Sequence, residues 1–313
     1  MPRKIIIDTD PGIDDAVALL LAFAAVEELE VLGIVTVAGN VPLAQTERNA
    51  RAVCELAGRR DVPVYGGCER PLFRTPSAAE HVHGTTGLGR LVLPEPTVPL
   101  QLQHGVDFLV ETLRSAESGT ITLGTLGPLT NIGVALVKAP DIADRVQELV
   151  MMGGAYFEVG NVTPTAEFNI HVDPHAAQLV LESGIPITMM PLDVTHKILS
   201  TRPRVARLRA LGNRCGAAAA DLLAGFERRR QGKLGPRGRA LHDPSVIAYL
   251  LLPALFRGRE LNVVVETTSS LTMGMTVVDW WRTTGRPANV RFVHEVDAEG
   301  FFDLLNERLA ILP

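Results

Sequence analysis

Four carboxylates crowd into one short stretch near the start of the chain, Asp8-Thr9-Asp10-Pro11-Gly12-Ile13-Asp14-Asp15. Asp8 and Asp10 have the spacing of residues on one side of a strand, and Asp14 and Asp15 approach from the beginning of a helix. Carboxylates this close repel unless hydrogen bonds, protons or a cation offset the charge. An all-oxygen donor set with no thiolate favours a hard divalent ion, Ca²⁺ or Mg²⁺. The stretch is not an EF-hand, because the helix-loop-helix spacing and the terminal bidentate Glu are missing. A second reading assigns Asp14 and Asp15 to the helix N-terminus and Asp8 and Asp10 to the turn. That accounts for one or two acids; four together point to a functional site.

Two distant segments add polar groups. Asn161, Glu167 and Asn169 lie within GNVTPTAEFNI, and the period-2 spacing of Glu167 and Asn169 would face a common polyol if that stretch is extended. His242 and Asp243 precede Pro244 and an apolar run, at a helix entrance where Asp either caps the helix or binds a metal and His exchanges a proton near neutral pH.

These groups need a scaffold. Lys4 to Asp8 is a branched aliphatic run that predicts a strand, followed by a loop and an Ala/Leu-rich helix from Asp14. The pattern repeats: a strand at Val31 to Val37, a Gly39-Asn40 turn, a helix at Leu43 to Leu56 and a short strand at Val62 to Tyr65. Further strands are expected at 120–123, 146–151, 187–190, 261–267, 276–279 and 290–293. Helices are expected at 106–113, 129–137, 174–181, 217–226 and 302–309, with a polar loop from Gly153 to Asp173. Strands alternating with helices predict an α/β fold, an open and mostly parallel sheet flanked by helices on both faces, with ligands beyond the carboxyl ends of the strands. No compositional linker divides residues 1–313, which read as one domain with excursions at 66–102 and 195–242.

Composition narrows the class. The chain of 313 residues is 46% apolar, enough for a sizeable core. Thirty Lys and Arg against 35 Asp and Glu give a net charge of -5, which disfavours a nucleic-acid partner. The basic run from Glu227 to Arg239 has no aromatic interleaving and reads as a solvated helix end or cap loop. The apolar runs Ala16 to Val26 and Val246 to Phe256 are short of the roughly 20 residues that span a bilayer, so no membrane role is expected. The start MPRKIIIDTD turns acidic before a signal-like core develops, and three scattered cysteines suit a reducing compartment; a cytoplasmic location is expected.

Taken in order, DTDPGIDDA (8–16), LGPLTNIG (126–133), MGGAYFEVGNVTPTAEFNI (152–170) and LHDP (241–244) resemble the inosine/uridine-preferring nucleoside hydrolase family, across essentially the whole chain. Gly39-Asn40 resembles a ribose-side segment of the same family. The resemblance implies a Rossmann-like nucleoside hydrolase fold without a dinucleotide site, consistent with the lack of a GxGxxG turn. It further implies Ca²⁺-dependent hydrolysis of the N-glycosidic bond of purine or pyrimidine ribonucleosides, giving ribose and free base for salvage.

By position in these motifs, the implied metal ligands are Asp10, Asp15, Asp243 and the backbone carbonyl of Leu126, with Asp10 also the general base and His242 the leaving-group acid. Asp14, Asn40, Asn161, Glu167 and Asn169 match ribose-binding positions. His83 in HVHG is placed near the base and Met152 against the sugar or base, although a loop imidazole and a core Met fit those positions too. Phe226 is a pocket wall or a core residue. The stretch from Phe226 to Arg239 lacks the Tyr residues often found in pyrimidine-preferring relatives, and Trp280 and Trp281 come too late for a purine-type tryptophan pocket, so both base classes remain open. Many relatives are homo-oligomers, the tetramer among them, and a homo-oligomer is expected here. A hydrolase of another N-riboside, or a non-catalytic nucleoside or ribose sensor, would share the sugar site; His242 together with Asp10 argues for turnover.

Overall fold

The first strand, β1 (Arg3–Thr9), shows why the sheet is covered on both faces. Ile5 and Ile7 pack into one apolar cluster and Ile6 into the other, all three fully buried, as period-2 alternation requires of a central strand. The computed structural model describes residues 1–226 and 238–313, without the side chains of residues 225 and 226. The side chain of Phe226, the expected pocket wall, and most of the basic run, residues 227–237, therefore lie outside what is described.

After β1 come α1 (Ile13–Phe23), β2 (Leu29–Thr36), α2 (Leu43–Leu56), β3 (Val64–Gly66), α3 (Glu80–His83), β4 (Leu100–Gln101) and α4 (Gly105–Ser115). The middle of the chain holds β5 (Ile121–Thr125), α5 (Thr130–Lys138), β6 (Val146–Met152), α6 (Phe168–Val172), α7 (Pro174–Leu181), β7 (Ile187–Met190) and α8 (Leu192–Thr195). Then follow β8 (Leu199–Ser200), α9 (Arg202–Arg209), α10 (Arg214–Phe226), β9 (Arg239–Ala240), α11 (Pro244–Leu251), β10 (Phe256–Leu261), β11 (Val263–Val265), β12 (Thr276–Val278), β13 (Val290–Val296) and α12 (Ala298–Leu309).

Nine strands form one sheet in the order β10-β13-β7-β6-β5-β1-β2-β3-β4. All neighbours are parallel except β10, which runs antiparallel to β13 at the edge. The expected open, mostly parallel sheet flanked by helices is the fold observed. From β1 the chain order runs outward through β2, β3 and β4 on one side and through β5, β6 and β7 on the other, which opens a crevice between the carboxyl ends of β1 and β5. Asp8 and Thr125 are register partners at that point, and the Leu126 amide donates to the Asp8 carbonyl at 2.8 Å.

Three details differ from the sequence expectation. The apolar run Val246 to Phe256 breaks at Leu252-Pro253, and strand β10 begins at Phe256; Arg257, Arg259 and Glu260 hide its strand character because it lies at a solvated edge. The strand expected at 261–267 is divided: Leu261 closes β10, and Val263–Val265 pairs with β12 in a separate two-stranded ribbon. The polar loop 153–173 contains the short helix α6. Of the two excursions, residues 66–102 carry α3 and the edge strand β4, and the described part of 195–242 carries α9, α10 and the β8–β9 ribbon. Among the described residues no helix is long and apolar enough to cross a membrane.

Candidate active site

The loop after β1 is held by its own acids. Asp15 Oδ2 accepts the Gly12 amide at 2.9 Å, closing the N-terminus of α1, and Asp15 Oδ1 accepts the Thr9 hydroxyl at 2.7 Å. Asn40, from the turn after β2, locks the neighbouring residue: its amide donates to Asp10 Oδ2 at 2.7 Å, and its Nδ2 reaches the Asp10 carbonyl at 3.1 Å and Asp15 Oδ2 at 3.0 Å. A Cβ built on Gly39 or Gly127 would overlap the Asp10 carboxylate, so both glycines exist to let backbone approach that group. Among the described residues Asp10 Oδ1 has no hydrogen-bond partner although it is buried.

Asp14 and Asp15 meet Asp243 across the crevice, with ligand oxygens all within 4.8 Å of one another. Asp243 stands at the start of α11, yet its side chain makes no capping hydrogen bond, which removes the structural alternative for it. Burial raises the Asp10, Asp15 and Asp243 carboxyls above the ordinary carboxylate range, and repulsion from neighbouring acids raises them further, Asp14 acting on Asp15 and Asp243 and Asp15 on Asp10. Asp8 sits just behind: burial pushes it up to about 8, partly offset by a 2.7 Å bond from Asn131 Nδ2. An orphaned buried carboxylate oxygen beside three converging acids is a donor set that fits a hard dication. The Leu126 carbonyl, at the end of β5, already accepts Asn169 Nδ2 at 2.8 Å, and a carbonyl has a second lone pair to offer.

Asp14 and Asp243 form the floor of a cleft of about 430 Å³ whose wall includes Asn40, His83, Met152, Asn161, Glu167 and Asn169. Leu126, Asp14, His242 and Asp243 border the same space. Asp10 and Asp15 lie beneath it, reached through Asn40. The condition of an extended stretch at Glu167 and Asn169 is not met: Glu167 is the cap of α6, its Oε1 accepting the Asn169 amide and its Oε2 the Ile170 and Gly154 amides. The two side chains still reach one cleft, because the cap turns the chain there. Burial pushes the Glu167 carboxyl up to about 7, opposed by those backbone donors. Asn161 Oδ1 accepts the Phe168 amide at 2.9 Å, which leaves its NH₂ for the cleft.

The family model for inosine-uridine preferring nucleoside hydrolases matches residues 5–303. The chain belongs to that family. A "Pyrimidine-specific ribonucleoside hydrolase RihA" of Shewanella sp. (strain ANA-3) is 45% identical over 312 residues, covering 99% of this chain and 97% of that protein. An uncharacterized protein of Schizosaccharomyces pombe is 54% identical over 99% of this chain and all of its own length. Among solved structures, the purine-preferring ribonucleoside hydrolase from Gardnerella vaginalis superposes with a TM-score of 0.91 at 31% identity, covering 98% of each chain. This nucleoside hydrolase is thus an enzyme acting on ribonucleosides.

Two imidazoles of the nucleoside hydrolase need their protons assigned. His83 Nδ1 accepts the Ile13 amide at 3.1 Å, so a neutral His83 carries its proton on Nε2, and burial pushes this imidazole below its usual range. His242 Nδ1 lies 2.8 Å from the Thr195 hydroxyl, and that hydroxyl finds an acceptor among the described residues only by donating to the ring. Burial, with Arg239 and the adjacent imidazoles His196 and His83 opposing a further positive charge, holds His242 well below the usual imidazole range. Glu158, His196, His81 and Arg239 also line the cleft and were missed by sequence reasoning. Glu158 lay in plain view inside the 152–170 motif, and His196 follows a strand whose carboxyl end faces the crevice.

Proposed function

We propose that the enzyme hydrolyses the N-glycosidic bond of purine or pyrimidine ribonucleosides to ribose and free base, with Ca²⁺ held by Asp10, Asp15, Asp243 and the Leu126 carbonyl. The observation that carries this reading is Asp10 Oδ1, without a hydrogen-bond partner among the described residues and buried among acids beneath a cleft large enough for a nucleoside. A dication at this position supplies the positive charge that offsets the clustered carboxylates and makes water in the site more acidic.

Asp10 Oδ1 accepts the proton of the attacking water, while Asn40 keeps the other oxygen occupied and the carboxylate aimed. Asp14, Asn40, Asn161, Glu167 and Asn169 bind and orient the ribose hydroxyls. As the bond to the base weakens, positive charge grows on the ribose ring, and the Asp14 and Glu167 carboxyl oxygens stabilise that charge more than the neutral substrate. His242, with its proton on Nε2, donates to the leaving base and limits charge build-up there. Met152 packs against the sugar, and His83 stands on the base side. The relatives' names divide between pyrimidine and purine, and both classes stay in the proposed substrate range.

We also place the enzyme in the cytoplasm as a single-domain homo-oligomer. Its three cysteines are unpaired, and Phe157 and Trp281 expose apolar surface that a subunit contact would cover. Light scattering that shows a monomer at every concentration removes the oligomer. For the activity, inosine, uridine, adenosine, cytidine and thymidine are assayed for free base and sugar before and after chelation and Ca²⁺ restoration. Turnover that is lost and regained with Ca²⁺ is expected; a folded, Ca²⁺-loaded protein that cleaves no N-riboside overturns the reading.

A further inference from the structure

An imidazole–carboxylate pair stands in the cleft that the chemistry above leaves unused. His196 follows α8 beyond the carboxyl end of β7, Glu158 lies in the loop after β6, and His196 Nδ1 is 2.9 Å from Glu158 Oε2. Both line the cleft, and the His196 ring centre is 5.9 Å from that of His242. The carboxylate accepts the Nδ1 proton, and His196 Nε2 has no hydrogen-bond partner among the described residues. The loop bearing Glu158 is anchored independently of its side chain, since Asp193 accepts the backbone amides of Tyr156, Phe157 and Glu158.

Depth orders the cleft. Asp15 is completely buried beneath the floor, whereas the Glu158 side chain is 42% exposed. Outward from the acids the cleft continues past His242 and His196 and is lined by Val159 and Val162, which leaves that space for the base of a substrate whose sugar sits on the acids. We propose that His196 is a base-contacting, specificity-determining residue, its free Nε2 meeting the polar edge of the leaving base, and that Glu158 is the positioning residue that fixes its tautomer and orientation. This rests on the ribonucleoside hydrolase reading and adds a recognition element to it.

The test compares uridine and inosine with p-nitrophenyl riboside, whose aryl group has no base edge to read and whose phenolate departs without protonation. His196→Ala lowers kcat/KM on both nucleosides by about 10-fold or more and changes the aryl riboside by less than about 3-fold. Glu158→Ala follows His196→Ala, whereas Glu158→Gln, whose amide oxygen still accepts from Nδ1, stays within about 3-fold of wild type. Equal losses on all three substrates, or no loss on any, overturn the assignment of His196. A Gln variant as impaired as Ala overturns the positioning role of Glu158. Should His196→Ala fail to fold, the Glu158 pair carries the same comparison, because that side chain is partly exposed and its loop is held by Asp193. Wild-type enzyme inactive on every riboside overturns this inference together with the hydrolase reading; an active wild type with unchanged variants overturns this inference alone.

Discussion

Asn40 grips Asp10 from two directions, its backbone amide on the carboxylate at 2.7 Å and its side chain on the carbonyl at 3.1 Å. Replacing Asn40 with Ala keeps the first bond and removes the second, along with the bond to Asp15 Oδ2. Leaving buried acceptors unpaired costs about 1–3 kcal/mol in unfolding free energy, read by denaturant titration. A misaimed Asp10 lowers kcat/KM by about 10- to 100-fold. Wild-type kinetics in a correctly folded Asn40→Ala would remove Asn40 from the machinery.

Gly127 offers a steric test of the same carboxylate. Gly127→Ala places a methyl group against Asp10 Oδ1, the oxygen with no protein partner. The expected result is a loss of about 100-fold in kcat with little change in the far-ultraviolet circular dichroism spectrum. Unaltered turnover would show that Oδ1 takes no proton in the reaction.

Removal of the cation has a stability signature that needs no substrate. Four buried acids repel one another in the metal-free protein, and a ligand present at about 100 times its Kd adds about 2.7 kcal/mol. For a chain of this size, Ca²⁺ added to chelated protein raises Tm by about 3–8 °C. Asp243→Asn abolishes most of that rise. A Tm indifferent to Ca²⁺ in the wild type would remove the proposed metal centre.

Glu167 gives a pH dependence with a definite sign. Its carboxyl is pushed up to about 7 in the folded protein, above the ordinary value near 4.5, because it is buried. The folded state therefore holds a proton that the unfolded state has released. The associated stability is complete below about pH 4.5 and is lost as pH rises through 7. Glu167→Gln is less stable at pH 5, since an NH₂ replaces an acceptor of backbone amides, but its Tm falls less steeply between pH 5 and 8. Parallel Tm profiles for the two proteins would contradict the raised pKa.

The strands were legible where both faces of the sheet are covered, because Ile5, Ile6 and Ile7 leave no other reading. The edge strand Phe256–Leu261 was not, because solvent on one side admits Arg257, Arg259 and Glu260. In the same way the acidic loop and the segments around residues 126, 161–169 and 242–243 were recognisable as short motifs, and the structure brings them to one crevice. What spacing could not convey is the capping turn at Glu167, since an N-cap and an extended residue share the same backbone region. Nor could it pair Glu158 with His196, whose contact depends on the loops after β6 and β7 meeting across 38 residues of sequence.

Helix α1 has no exposed residue from Ile13 to Phe23, and it packs against α2, α10, α11 and α12. The consequence is vectorial. During synthesis the first helix emerges long before the last ones that bury it, so the nascent chain carries an oily segment, with Asp14 and Asp15 in its first turn, that α10, α11 and α12 do not yet cover. Full burial of α1 therefore waits on the end of the chain, and until then its apolar surface is open to non-native contacts.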